Sequence, residues 1–218
     1  MTKTITVKGI GRATAKPDTV TLSLSLDSRA MEYDRAMETA SEHIENITRA
    51  LVGAGFEKDA LKTTNFNVRT DYDNVKGSDG NYHLEFKGYV VSHQFKVEFS
   101  FDGERLSQAL PALAGCLSHP QLSISFVVKD SAAVNEEMLR SAAVNARKKA
   151  QVLCDASGVT LGSLLSIDYN WSELSICSNT RYSLAEECMA APLMGKSISI
   201  EPDDIDVSDT ATFVWEID

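Results

Sequence analysis

A histidine and a carboxylate two residues apart on a strand share a face, and Tyr82-His83-Leu84-Glu85 offers one such pair, with His93 further along the same run. Zinc would need a third or fourth ligand from elsewhere, and no second cluster is present, so these histidines are read as surface residues. Asp71-Tyr72-Asp73-Asn74 with Asp79 has the oxygen density of a calcium loop. Val75 occupies the fifth position, however, Lys76 stands where glycine is needed, and Tyr82 replaces the closing glutamate. A solvated hairpin tip is the better reading. Asp203-Asp204-x-Asp206 has the charge to hold a hard cation weakly, but it serves equally as a charged edge guarding a sheet.

Gly9-x-Gly11 has the start of a dinucleotide loop, yet Thr14 fills the third glycine position and no helix follows to hold a pyrophosphate. A turn or bulge between strands is expected there. No GxSxG, HExxH or P-loop pattern is present. A serine or cysteine nucleophile with partners distant in sequence stays open, because a triad is set by space and not by spacing. No catalytic, cofactor-binding or metal-binding residue is therefore assigned, no cofactor is expected, and enzymatic activity is the less favoured reading. Arg140, Arg147, Lys148 and Lys149 form a positive group suited to an anionic ligand or an acidic neighbouring subunit, but they fit the wet face of an amphipathic helix better. The interaction candidates are Tyr169 and Trp171, with Met189, Leu193 and Met194 of the irregular 172–195 stretch. Apolar side chains there either fold back on their own sheet or mark an interface.

The elements that must position these residues follow from periodicity. Residues 131–167 read as a long helix, a stop at Gly158 and a strand. Leu139, Ala142, Ala143, Ala146, Ala150, Leu153 and Cys154 fall three or four apart, giving a face made mostly of methyl groups that can sit close against a sheet. Asp130 or Ser131 suits its cap. A first long helix is carried by Tyr33, Met37, Ala40, Ile44, Ile47 and Leu51, ending at Gly53 and Gly55. A third, over about Glu104 to Leu117, must accommodate Pro111 by a kink or an early break.

Strands are expected over Thr4–Val7, Val20–Leu26, Leu61–Tyr72, Tyr82–Phe101, Leu122–Val128, Leu161–Tyr169, Ser197–Ile200 and Ala211–Ile217. Asp73–Asn81 is a loop between two β runs, which implies a long hairpin, with Gly88 as a bulge. Ala185–Ala191 is a short helix or an irregular arm, and the last two strands pair around Glu201-Pro202-Asp203-Asp204. Strands outnumber helices and neighbours can pair as hairpins. The fold class is α+β, an antiparallel or mixed sheet covered by two long helices and one shorter one.

The chain of 218 residues is 43% hydrophobic and 24% charged, enough for one large domain or two small ones. A single domain over 3–217 is expected, divisible into subdomains of about 3–102 and 103–217. The formal net charge of −10 opposes nonspecific attraction to nucleic acid, so none is expected as a partner. No run approaches the ~20 apolar residues of a membrane helix. Met1-Thr2-Lys3 leads straight into Ile5-Thr6-Val7 without a signal pattern, which places the chain in the cytoplasm as it stands, or in the periplasm or envelope if a signal has been removed. Cys116, Cys154, Cys177 and Cys188 lack CxxC spacing and are read as thiols in preference to disulfides.

The order of these features resembles the SIMPL family (DUF541, YggE-like). Ile5-Thr6-Val7-Lys8-Gly9-Ile10-Gly11 with Pro17-Asp18 is similar to its opening, and Gly55…Leu61-Lys62-Thr63-Thr64 to its middle passage. Ala146-Arg147-Lys148-Lys149-Ala150 followed by Gly158…Leu161-Gly162 resembles its most recognisable stretch. Ile200-Glu201-Pro202, Ile205-Asp206-Val207-Ser208 and Phe213-Val214-Trp215-Glu216-Ile217 resemble its closing hairpin. The resemblance implies a bacterial protein with no agreed activity and no catalytic residues to carry over, acting by homo-oligomerisation or through a protein partner, with links to stress tolerance and the envelope. A small-molecule-binding protein or unrecognised hydrolase, with a pocket between sheet and helices, is the competing reading.

Overall fold

A computed structural model describes residues 3–76, 81–169, 176–180, 182–184 and 200–218. Among them the chain forms, in order, β1 (Thr4–Ala15), β2 (Thr19–Ala30), α1 (Tyr33–Gly53), β3 (Lys62–Lys76), β4 (Tyr82–Ser100), α2 (Gly103–Ala114), β5 (Gln121–Val127), α3 (Ser131–Ser157), β6 (Leu161–Asp168), β7 (Tyr182–Leu184) and β8 (Ile205–Ile217). This is the expected α+β class. The strands make two sheets, ordered β1-β8-β6 and β3-β4-β2-β5-β7. The β1–β8, β6–β8, β2–β4, β3–β4 and β5–β7 ladders run antiparallel. Two compact units result, one from Met1–Asp18, Val127–Asn179 and Pro202–Asp218, the other from Thr19–Phe126 and Thr180–Glu201.

The first unit is built on contact between a helix and a strand that both lack bulk. Ala142, Ala146 and Ala150 of α3 are buried, as are Val134, Met138 and Cys154. Across from them stand Gly9 and Gly11. A Cβ added at Gly9 would lie 2.2 Å from the Ala142 carbonyl oxygen, and one at Gly11 would lie 2.1 Å from that of Met138. No side chain fits in that gap, so glycine is required by close approach and not by a turn. The expected turn at Gly9-x-Gly11 is therefore absent, and β1 runs unbroken from Thr4 to Ala15. The buried stripe of α3 is also narrower than its spacing suggests: Ala143 is exposed and Leu153 is half exposed. Asp130 caps the helix by accepting from the Ala133 N–H at 3.1 Å, and Gly158 takes the left-handed stop at φ 70°.

Three α3 side chains also seal the lateral edge of β1. Asn145 Oδ1 accepts from the Ile10 N–H (3.0 Å), Ser141 Oγ accepts from the Arg12 N–H (3.3 Å), and Lys149 Nζ donates to the Lys8 carbonyl (3.1 Å). Backbone groups that would otherwise template a foreign strand are thus occupied. On its other side β1 pairs along its whole length with β8, Thr4 opposite Glu216 and Ala15 opposite Ile205. β8 finds its described partners in β1 and β6 and forms no described hairpin with Ile200. Ser197-Ile198-Ser199 and the segment 185–191 lie outside the described residues.

In the second unit the alternation of β2 buries Val20, Leu22, Leu24 and Leu26 against Ile47 and Leu51 of α1 and Leu106, Ala109 and Leu113 of α2. α2 carries Pro111 and ends at Ala114, one turn later, earlier than its apolar spacing suggests. The β3–β4 hairpin forms as expected, but its strands continue through Asp73–Lys76, which the turn-forming composition had suggested as loop.

Candidate functional site

The long hairpin outruns the sheet it belongs to. β4 has 19 residues and β2 has 12, so β2 ends at Ala30 opposite Tyr89. Beyond that point, among the described residues, Tyr72–Lys76 and Tyr82–Phe86 pair only with each other, as a two-stranded arm. Gly88 makes the junction. Its φ is +124°, and a Cβ there would lie 2.3 Å from the Ala30 carbonyl oxygen, so only glycine turns the strand past the end of β2. The register shift between Asp71 and Tyr72 falls opposite this point, which makes it the bulge expected from the sequence.

One face of the arm carries Tyr72, Tyr82, Leu84 and Phe86, with Asn74 and Lys76 among them. Tyr72 is opposite Phe86, Asn74 opposite Leu84 and Lys76 opposite Tyr82. Tyr72 and Phe86 meet edge to face at 5.5 Å; Phe86 continues the row to Tyr89 at 5.5 Å, and Tyr89 to Tyr33 at 5.7 Å. Such a row holds ring orientation as well as area. Towards the tip Tyr82 and Leu84 are 67% and 70% exposed. The opposite face is polar, with Asp73 opposite Glu85 and Lys87 bonded to Glu85 at 3.0 Å. At the root, Asp71 faces Arg29 at 3.4 Å and Arg69 at 3.9 Å, while Ser92 donates to Asp27 at 2.7 Å. These exposed pairs fix orientation more than they add stability.

Other chemistry-bearing groups resolve into structural roles. His93, expected at the surface, is buried: it faces the core from β4 between the rings of Phe66 and Phe95, with Nε2 bonded to Thr63 Oγ1 at 3.1 Å. Burial lowers its pKa, and its Nδ1 has no partner among the described residues. Ser28 Oγ lies 2.9 Å from His43 Nδ1, but Ser28 is buried and the His43 neighbours described are Ser28 and, at its carbonyl, Ser118. Without a carboxylate to orient the ring or an open approach, the pair is a core hydrogen bond. Asp206 accepts from Thr14 at 2.6 Å, tying its acidic run to β1. Among the described residues no three His, Cys, Asp or Glu side chains gather as a metal site.

Of the sequence-derived interaction candidates, Trp171, Met189, Leu193 and Met194 lie outside the described residues. Tyr169 packs on the cluster of Val7, Ala146 and Trp215. Its pKa is raised by burial, then by the charge of Asp209 and a hydrogen bond to it. Described parts of the 172–195 stretch lie on their own chain: Ile176 is buried, and Tyr182–Leu184 pairs with β5. Sequence reasoning missed the arm. The signal was present as a strand of unbroken β character much longer than the neighbour available to pair with it.

The profile of the SIMPL family, described as a protein of unknown function (DUF541), matches residues 5–215. The chain belongs to the SIMPL family. A relative from Brucella melitensis biotype 1, a 26 kDa periplasmic immunogenic protein, is 33% identical over 176 residues, covering 78% of this chain and 66% of its own length. The protein of the same description from Brucella abortus (strain S19) is 32% identical over the same extent. This SIMPL chain thus spans just under two thirds of the length of these relatives. No described helix is long and apolar enough to cross a membrane.

Proposed function

We propose that this SIMPL protein works by contact, through self-assembly or capture of a protein partner, and performs no covalent chemistry. The observation that carries this reading is the arm. A two-stranded ribbon is marginal in water on its own, and one with exposed apolar side chains gains by being covered. A periplasmic location is proposed from the description of the Brucella proteins, and stress protection from the family resemblance. Light scattering coupled to gel filtration tests the reading. The chain is expected to elute as an oligomer at micromolar concentration, and Leu84→Glu with Phe86→Glu to shift it towards monomer. A wild-type monomer that retains no protein from a periplasmic extract would sink the proposal.

A further inference from the structure

Where α1 gives way to β3, a cleft of the second unit holds a fixed guanidinium. The Phe56 N–H donates to the Leu51 carbonyl at 3.0 Å, which returns the chain towards the end of α1. The Phe56 ring is buried and meets that of Phe99, in β4, edge to face at 5.1 Å. Arg105, in the first turn of α2, sets its guanidinium 4.5 Å from the centre of the Phe56 ring and 5.7 Å from that of Phe99. Its Nη2 also donates to the Gly55 carbonyl at 3.4 Å. Stacking and hydrogen bond together hold the planar group in place. These side chains line a cleft of about 450 Å³, the size of a small-molecule site.

The charges in its lining divide into paired and unpaired ones. Lys62 pairs with Asp59 at 3.9 Å and Lys96 with Glu98 at 3.0 Å. Arg105 and Glu57 line the same cleft and form no ion pair among the described residues. A guanidinium presents its N–H donors as a planar fork matched to a carboxylate. A simple anion would satisfy that fork but leave Glu57 facing it uncompensated, and a simple cation would do the reverse. We propose that this cleft binds a small zwitterion of the α-amino-acid class, its carboxylate on Arg105 and its ammonium on Glu57. Phe56, Ala60 and Phe99 give the lining an apolar part, suited to an aliphatic side chain.

The test titrates the full chain with L-leucine, with isocaproate (leucine without its ammonium) and with isoamylamine (leucine without its carboxylate), reading amide chemical shifts. L-Leucine is expected to bind with a Kd of about 1 mM or tighter, moving amides of residues 56–62 and 96–105. Each truncated probe should bind about tenfold more weakly, having lost one charge-assisted contact. Glu57→Gln should weaken leucine about tenfold and leave isocaproate unchanged. Arg105→Gln should weaken leucine and isocaproate and leave isoamylamine unchanged. Circular dichroism checks that both variants fold, and Glu57→Gln, at an exposed side chain, decides alone if Arg105→Gln does not. Leucine that moves no amide at these positions overturns the site. Isocaproate or isoamylamine binding as tightly as leucine overturns the zwitterion, and so does unaltered leucine binding by Glu57→Gln. These readouts hold at any oligomeric state, so the self-assembly reading stands or falls separately.

Discussion

At the level of single residues, missing side chains matter as much as those present. Gly9 and Gly11 sit where a methyl group would collide with the α3 backbone. Gly9→Ala should therefore cost at least as much as ordinary overpacking, about 1–3 kcal/mol, and Ala146→Leu should fall in the same range. Urea midpoints would show it; an unchanged midpoint for either would mean that helix and strand can separate cheaply. The alanine face was readable because methyl groups recur at helical spacing. The glycines were misread because Gly-x-Gly marks turns more often than it marks a helix lying on a strand. His93 was misread for a related reason, since alternation does not reveal which face of β4 is inward. Burial lowers the His93 pKa, so the folded state binds its proton less readily than the unfolded chain. Its contribution is present above the unfolded value of about 6.5 and is lost as pH falls below that value. His93→Phe should flatten the decline in urea midpoint between neutral pH and pH ~5; an identical decline in both proteins would assign it to other groups.

At the level of elements, α3 does two jobs with two sides. Its alanines lie on the sheet, while Ser141, Asn145 and Lys149 close the flank of β1. Ser141→Ala with Asn145→Ala removes two acceptors from partly solvated bonds, a loss of about 0.5–1.5 kcal/mol each. Hydrogen exchange at the Ile10 and Arg12 amides should accelerate beyond what that global loss explains. Unaltered protection would show that the sheet and not the helix guards this flank. Helix positions were legible in sequence because caps and apolar spacing are local. Strand partnership was not, because β1 and β8 meet across nearly the whole chain, and no short-range pattern states that pairing.

For the molecule as a whole, the arm separates stability from association. Leu84 is 70% exposed and stands outside the described cores, so Leu84→Glu should move the melting midpoint by no more than a surface change does, within about 0.5 kcal/mol. A large drop in melting temperature would mean that the arm braces the fold. The outline of this candidate surface was legible as a hairpin, but its projection was not, since the length of β4 has meaning only beside the length of β2. The partnership of β1 with β8 has a last consequence for biosynthesis. Thr4–Ala15 is made well before Ile205–Ile217 and must wait for it before the two can pair. Until β8 is made, the β1 ribbon lacks its partner strand, a form in which a chaperone or an export channel can still take hold of it.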